Sequence, residues 1–296
     1  MSESSFIESL RALATSPAAR GLEDDAAVLD IGGKPLVVTH DMLVEGVHFL
    51  PGADMADVAW KLVATNLSDL AAKGAKPLGV ILGFMLGPEE QRFLAGLSEV
   101  LARYDVPLLG GDTTSGGPPR AFGMTALGSA TFDPVPSRAG AEPSDAIYLC
   151  GSVGAAMVGF EALRDGNGGD SAAFRRPVPL LEEGQALAPF VTAMMDVSDG
   201  VLLDAARMAR ASDVTLAIDS AAVSIAAPEA RRHDVLRWGD DYALLFTAPS
   251  GTALPVPAQR IGTVAAASAA PILLDGMPLN EADGLGYQHG ESYNEK

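Results

Sequence analysis

Aspartates recur in this sequence where apolar runs end. If the strands ending there are neighbours in one sheet, their carboxylates converge on one edge and repel each other. Lysine and arginine are scarce near these positions in the sequence, so divalent cations with oxygen ligands are the expected counter-charge. Mg²⁺ held in this way can also bind substrate phosphates. The recurring residues are Asp25, Asp41, Asp69, Asp112, Asp196, Asp199, Asp240 and Asp241.

Each aspartate also has an ordinary explanation. Asp199 could cap a helix, Asp69 could pair with Lys73 one turn later, and Asp112 could belong to a turn. We expect no special role for Asp204, one turn into the helix predicted after Asp199. From the pattern alone, a metal and phosphate site and a scatter of surface carboxylates both stay open.

Other familiar chemical motifs are missing from the sequence. It has no glycine-rich loop ending in Gly-Lys-Ser/Thr, no dinucleotide fingerprint, no Gly-x-Ser-x-Gly elbow and no Cys/His zinc cluster. The single cysteine, Cys150, lies among apolar residues and is predicted to be a core residue. The segment GGDTTSGG offers backbone N–H groups and hydroxyls beside a carboxylate, which suits a nucleotide phosphate and its metal.

The charge and hydropathy exclude several classes of protein. With 20 basic and 38 acidic residues the net charge is −18, and no basic stretch could bind a nucleic-acid backbone. The longest apolar run, PLGVILGFMLG, is too short to span a membrane, and the N-terminus lacks the pattern of a secretory signal. We therefore expect a cytoplasmic protein without nucleic-acid or membrane partners.

Alternating strand and helix patterns would position these aspartates. In the first half, AAVLD and PLVVTHD predict a hairpin, LGVILGFML, VPLLGGD and AFGMTALGSA predict strands, and DMADVAWKLVATNLSDLAAKGAKP and PEEQRFLAGLSEVLARY predict helices. In the second half, AIYLCG, VTLAID, YALLFT and PILLDG predict strands, and VGAAMVGFEALR and PLLEEGQALAPF predict helices. The stretch TAMMDVSDGVLLDAARMA predicts a strand passing into a helix.

Prolines and glycines are more frequent between residues 131 and 145, which indicates a domain boundary. We predict two α/β domains, residues 1–135 and 136–296. The glycine-rich segment 165–176 is predicted to be a flexible loop near the site.

As a set, seven segments resemble the thiamine-monophosphate kinase family, part of the aminoimidazole ribonucleotide synthetase superfamily. They are DDAAVL, THDMLVEGVHF, NLSDLAAKGAKP, LLGGDTTSG, PSRAGAEPSD, DVSDGVLLDA and GDDYALLFT, in the family's order and spacing. The resemblance implies ATP-dependent phosphorylation of thiamine monophosphate to thiamine diphosphate, with several Mg²⁺ ions. It also implies an N-terminal mixed sheet with helices that pairs across a homodimer, and a C-terminal α/β sandwich.

The resemblance further implies site residues, none of them a catalytic acid or base, since the acceptor is already an anionic phosphate oxygen. The implied metal ligands are Asp25, Thr39, His40 (through its backbone carbonyl), Asp41, Asp69, Asp112, Asp196 and Asp199. The implied ATP contacts are Tyr104, Gly111, Asp112, Arg138 and Ser198. The implied substrate contacts are His48, Asp240 and Tyr287.

The chain departs from the family pattern at several positions. It has Glu23 where glycine is usual, His40 where threonine or serine is usual, and Asp240 in place of glutamate. The tail GYQHG around Tyr287 also differs from the usual motif. Two alternatives stay open: another ATP-dependent synthetase of this superfamily with a different acceptor, and a non-catalytic Mg-nucleotide-binding protein.

Overall fold

The N-terminal half of the chain folds around a five-stranded mixed sheet. The computed structural model describes residues 3–289. Strands β1 to β5 are Ala27–Asp30, Pro35–Val44, Ala75–Leu86, Leu108–Ser115 and Ala121–Ala130, in the order β1-β2-β5-β3-β4. The β1–β2 hairpin is confirmed, and β3 and β4 are the parallel pair. Helices α1 to α3 are Glu3–Arg11, Met55–Ala72 and Glu90–Tyr104.

One face of this sheet is covered by α2 and α3. Their apolar side chains and those of the strands form one core, in which Leu62, Phe93 and Phe122 are fully buried. The two helices approach closely at Gly96, where a Cβ atom would lie 2.3 Å from the carbonyl oxygen of Ala56. The strands of this sheet also carry large apolar side chains that are exposed, among them Met42, Leu78, Ile81, Leu86, Leu108 and Leu109.

The C-terminal half is built on a seven-stranded sheet. Strands β6 to β12 are Ala146–Cys150, Ala193–Asp196, Val214–Ile218, Leu244–Ala248, Gln259–Ala266, Ile272–Leu274 and Met277–Leu279, in the order β12-β11-β8-β10-β6-β9-β7. Helices α4 to α8 are Ala155–Arg164, Ala172–Arg175, Leu181–Leu187, Val201–Ala211 and Arg232–Val235. The two-domain α/β class is thus confirmed, but β10, which lies between β8 and β6, was not predicted.

Helix α2 lies between the two halves and contacts both. It packs on β2, β3 and β5 of the first sheet and on β7, α5 and α6 of the second half. Because of this, 16 of its 18 residues are buried, including polar ones. Among residues 3–289, no helix has both the length and the apolar sequence needed to cross a membrane.

Candidate active site

A pocket of about 930 Å³ lies between the two halves of the chain. The first half lines it with β2 and α2, and the second half lines it with the loops after β7 and before β9. The C-terminal segment 286–289 and the helix α1 complete the wall. Site residues that the sequence predicted in this lining are His40, Asp41, His48, Asp69, Asp196, Ser198, Asp199, Asp240 and Tyr287.

Helix α2 presents a polar stripe toward the site. Lys61, Thr65, Asp69 and Lys73 follow each other at intervals of four residues, which places them on one face of the helix. At 1.5 Å per residue the stripe is about 18 Å long. Its first member touches Asp240 and its last member touches the aspartates before β1, so α2 connects the two ends of the site.

Three aspartates from different elements meet at one end of this stripe. Asp25 precedes β1, Asp69 lies on α2 and Asp196 ends β7, and one carboxylate oxygen from each lies within 4.8 Å of the others. We call these three residues the acidic cluster. The Thr39 hydroxyl donates to the Asp69 carboxylate, and the Ser68 hydroxyl donates to Asp196 at 2.6 Å.

Burial and mutual repulsion raise the pKa values of these carboxylates. Burial raises the pKa of Asp69 well above its usual range, and the charges of Asp41, Asp196 and Asp25 add to the shift. Burial, with the charge of Asp25, raises the pKa of Asp196 to about 8. Burial also raises the pKa of Asp41 to about 6, with Asp199 and Asp25 contributing. Without a cation the cluster therefore holds protons at pH 7, and it can carry its full negative charge only when a cation compensates that charge.

The expectation that cations are scarce here was wrong for Asp25. Lys73 is fully buried, donates to Asp24 and lies 2.7 Å from Asp25, so it does not form the helix pair with Asp69 considered above. The Nε of Arg138 donates to Asp25 at 2.8 Å. Burial would raise the pKa of Asp24, but the adjacent Lys73 and Arg20 hold it well below its usual value.

For Asp41, Asp69 and Asp196 the expectation that cations are scarce holds. For Asp199 and Asp240 it was wrong, because Arg207 and Lys61 pair with them. Within the part of the chain that the structure describes, no lysine or arginine nitrogen lies within ion-pair distance of Asp41, Asp69 or Asp196. The side-chain hydrogen bonds of these three carboxylates come from hydroxyl groups, those of Thr65, Thr39 and Ser68. Their carboxylate oxygens are therefore the ones available to coordinate a metal cation.

In the segment after β7, one open alternative, the Asp199 cap, and one expectation, that Asp204 has no special role, were wrong. Gly200, not Asp199, stands at the start of α7, and Asp199 pairs instead with Arg207. Asp204 is fully buried and has a definite role, because its carboxylate accepts the backbone N–H groups of Ser198 and Asp199, each at 3.0 Å. Asp204 therefore fixes the loop that carries two predicted site residues, and Arg207 binds its other oxygen at 2.8 Å.

The loops on the second half's side of the pocket are joined through their backbones. Asp240 N–H donates to the Ser198 carbonyl at 2.8 Å, and Tyr287 N–H donates to the Asp199 carbonyl at 2.9 Å. Gly239 allows this approach, since a Cβ atom there would lie 2.1 Å from the Ser198 oxygen. The predicted contacts Ser198, Asp240 and Tyr287 are thus held as one unit.

His48 is held in one neutral form. Burial lowers the pKa of His48 to about 4, against the opposing effect of Asp240. Val44 N–H donates to Nδ1 at 3.0 Å, so the proton of the neutral ring lies on Nε2. His48 therefore offers a donor to the pocket, and the ring of His289 lies 5.4 Å from it.

Other predicted residues lie outside this pocket or at its edge. Gly111 and Asp112 lie on the exposed edge strand β4, and Tyr104 packs edge-on against Trp60; none of the three lines the pocket. His40 is exposed at the pocket wall, and its Nδ1 is paired with the Thr125 hydroxyl at 2.9 Å.

Sequence reasoning missed Lys61, Lys73, Asp24, Asp204 and Arg207. Lys61 and Lys73 could have been found from the sequence. Both belong to the four-residue series on α2, which is otherwise mostly apolar, and a lysine in a buried helix indicates a buried partner. The partners of Asp204 and Arg207 could not have been predicted from spacing alone.

Two family models match consecutive parts of the chain. Residues 23–130 match the model described as "AIR synthase related protein, N-terminal domain". Residues 142–271 match "AIR synthase related protein, C-terminal domain".

Individual relatives of the chain are thiamine-monophosphate kinases. Thiamine-monophosphate kinase of Escherichia coli strain K12 is 36% identical over 249 residues, which cover 77% of this chain and 76% of that protein. The enzyme of that name from Salmonella typhimurium strain LT2 is 34% identical over 299 residues, 91% of each chain. The solved structure of AaThiL complexed with AMPPCP and TMP superposes with a TM-score of 0.87 at 25% identity and covers 97% of both chains.

Proposed function

Because this chain belongs to the thiamine-monophosphate kinase family, we propose that it transfers the γ-phosphoryl group of ATP to thiamine monophosphate, giving thiamine diphosphate and ADP. One observation on this chain's own residues supports the proposal. Carboxylates from both halves, with Asp25 and Asp69 from one and Asp196 from the other, converge within 4.8 Å at a pocket of about 930 Å³. Such a site suits two phosphorylated substrates that repel each other.

The acidic cluster fits Mg²⁺. Its oxygens come from three elements, and Asp41, Asp69 and Asp196 have no cationic partner among the described residues. We propose the cluster together with Asp41 and Asp199 as the ligand set, with Thr39 held against Asp69. When bound, Mg²⁺ supplies neutralisation of the phosphate charges.

The protein's own groups would bind and orient the two substrates. Arg138 presents a guanidinium beside Asp25, and Ser198 lies on the loop that Asp204 fixes, so both suit the nucleotide phosphates. His48, Asp240 and Tyr287 line the far part of the pocket and suit the thiamine end, where an aromatic ring and a carboxylate can meet a cationic thiazolium. No general base is required, because the acceptor oxygen is already ionised.

A homodimer is part of this proposal. The first sheet exposes the large apolar side chains of Met42, Leu108 and Leu109 at 52%, 48% and 54%, and its edge strand β4 is exposed along its length. Exposed large apolar side chains beside an open sheet edge are typical of a protein interface. A second copy along this edge would also cover Gly111 and Asp112, the predicted nucleotide and metal contacts that lie outside the pocket of one chain. A location in the cytoplasm, where ATP is supplied, is also part of this proposal.

An acceptor competition tests the proposal. The purified chain is incubated with ATP, Mg²⁺ and thiamine monophosphate, and thiamine diphosphate is measured by chromatography. Thiamine and an aminoimidazole ribonucleotide precursor are offered in parallel as acceptors. We expect product from thiamine monophosphate alone. Turnover of another acceptor would favour a different synthetase of the superfamily, and nucleotide binding without turnover of any acceptor would favour a non-catalytic protein.

A further inference from the structure

Lys61 is a buried cation at the opposite end of the α2 stripe from the acidic cluster. Its side chain is 2% exposed. The ammonium nitrogen lies 2.9 Å from Asp240 Oδ2, 3.0 Å from the His48 carbonyl oxygen and 3.8 Å from the centre of the Phe174 ring. Burying a charged lysine costs desolvation free energy, which its partners must offset. Here the carboxylate, the carbonyl and the ring together offset it.

These contacts join two of the three predicted substrate contacts. Asp240 belongs to the second half, and His48 follows β2 of the first half, so Lys61 links them across the domain boundary. The remaining oxygen of Asp240 accepts the Tyr242 hydroxyl at 2.8 Å. Asp240 has a left-handed backbone, with φ of 65°, so its direction depends on these contacts and on its N–H bond to Ser198.

The environment of Lys61 also restrains the segment that covers it. Phe174 lies on α5, and the adjacent Arg175 and Arg176 both pair with Asp57 on α2. Trp60 Nε1 donates to the Pro177 carbonyl at 3.0 Å. The Phe174 ring is thereby kept over the ammonium group, and Lys61 has Asp240 as its carboxylate partner.

We propose that Lys61 is a positioning residue for the thiamine end of the acceptor: it holds Asp240 and the His48 backbone in the arrangement that receives this end. The inference rests on the proposed function and deepens it. Lys61 does not touch the reacting phosphates, since it lies three helical turns along α2 from Lys73 and the acidic cluster. Replacing Lys61 should therefore weaken the binding of thiamine monophosphate and leave the affinity for the nucleotide unchanged.

Calorimetric binding to Lys61→Met tests this separation. We expect the Kd for thiamine monophosphate to rise about tenfold or more, as when a buried charge loses its partner, and the Kd for a non-hydrolysable ATP analogue to change less than about twofold. Lys61→Gln, which retains a polar but shorter side chain, is measured in parallel in case the methionine variant does not fold. Lys34→Met, an exposed lysine in the β1–β2 turn, is the matched control.

A double-mutant cycle with Asp240→Asn identifies the route of the effect. If Lys61 acts through Asp240, the double variant binds the acceptor no more weakly than the worse single variant. Losses that multiply, an unchanged acceptor Kd, or equal losses for both ligands would overturn the inference. If the unaltered protein binds no thiamine monophosphate, the proposed function itself is contradicted.

Discussion

Replacing Asp196 by asparagine should stabilise the metal-free protein while removing its response to Mg²⁺. Burial and the neighbouring carboxylates raise the pKa of Asp196 to about 8, against an ordinary value of 3.8. In metal-free solution at pH 7 the folded protein therefore keeps this proton, whereas the unfolded chain has released it. The difference corresponds to at most about 4 kcal/mol of lost stability. Asparagine avoids this cost, and its amide oxygen can still accept the Ser68 hydroxyl.

The sign of the effect fixes its pH dependence. A carboxyl group with a raised pKa in the folded state contributes most to stability below its unfolded pKa, and that contribution is lost as the pH rises through the folded pKa. The advantage of Asp196→Asn should therefore be near zero at pH 4, increase through pH 7 and level off above about pH 8. Urea denaturation in a chelator at these pH values measures it.

Mg²⁺ should reverse the order of stability. At saturating Mg²⁺ the unaltered protein gains stability as ligand binding to the folded state requires, and the variant gains much less. Asp105→Asn, an exposed residue at the end of α3 with φ of 52°, is the control and should match the unaltered protein. If Asp196→Asn is less stable than the unaltered protein at every pH in chelator, or if Mg²⁺ stabilises both equally, the account of the cluster is wrong.

Three further substitutions test other parts of the structure. His48→Asn keeps an acceptor near the Nδ1 position and loses the Nε2 donor; we expect the KM for thiamine monophosphate to rise about tenfold with an unchanged melting temperature, and an unchanged KM would contradict the assigned tautomer. Asp204→Asn leaves one oxygen for the loop N–H groups and Arg207 together, so we expect kcat to fall by about tenfold or more; full activity would show that the loop holds without the carboxylate. Gly96→Ala should lower the free energy of unfolding by about 1–3 kcal/mol in urea because its Cβ meets the Ala56 backbone, whereas Gly117→Ala, which meets nothing within 4 Å, should not; equal stabilities would refute the packing argument.

The predictable part of the fold followed from strong periodicity. The β1–β2 hairpin, α2 and α3 all have clear apolar patterns bounded by glycine or proline, and the structure places them as expected. Strand β10, with sequence QRIGTVAA, has few large apolar residues, and Gly262 lies where a Cβ atom would meet the Ala217 carbonyl oxygen at 2.1 Å. Such a strand is specified by its neighbours β6 and β8 more than by its own sequence.

The site was predictable where it depends on residue type and less so where it depends on long-range pairing. The recurrence of aspartates indicated a cluster, but the expected arrangement at the edge of one sheet was wrong. Asp25 precedes β1 of the first sheet, Asp69 lies on helix α2 and Asp196 ends β7 of the second sheet. The pairing of Lys73 with Asp24 and Asp25 joins residues almost fifty positions apart, and only the tertiary fold brings them together. The role of Asp204 could not be predicted for the same reason, because its carboxylate accepts backbone N–H groups whose positions the sequence does not give.

The fate of the γ-phosphate shows whether the phosphoryl group is transferred directly from ATP to thiamine monophosphate. ATP labelled at the γ-phosphorus is incubated with the protein, Mg²⁺ and thiamine monophosphate, and the labelled products are separated. Direct transfer predicts label in the terminal phosphate of thiamine diphosphate in an amount equal to the ADP formed. Label recovered as inorganic phosphate, or formation of AMP in place of ADP, would contradict it.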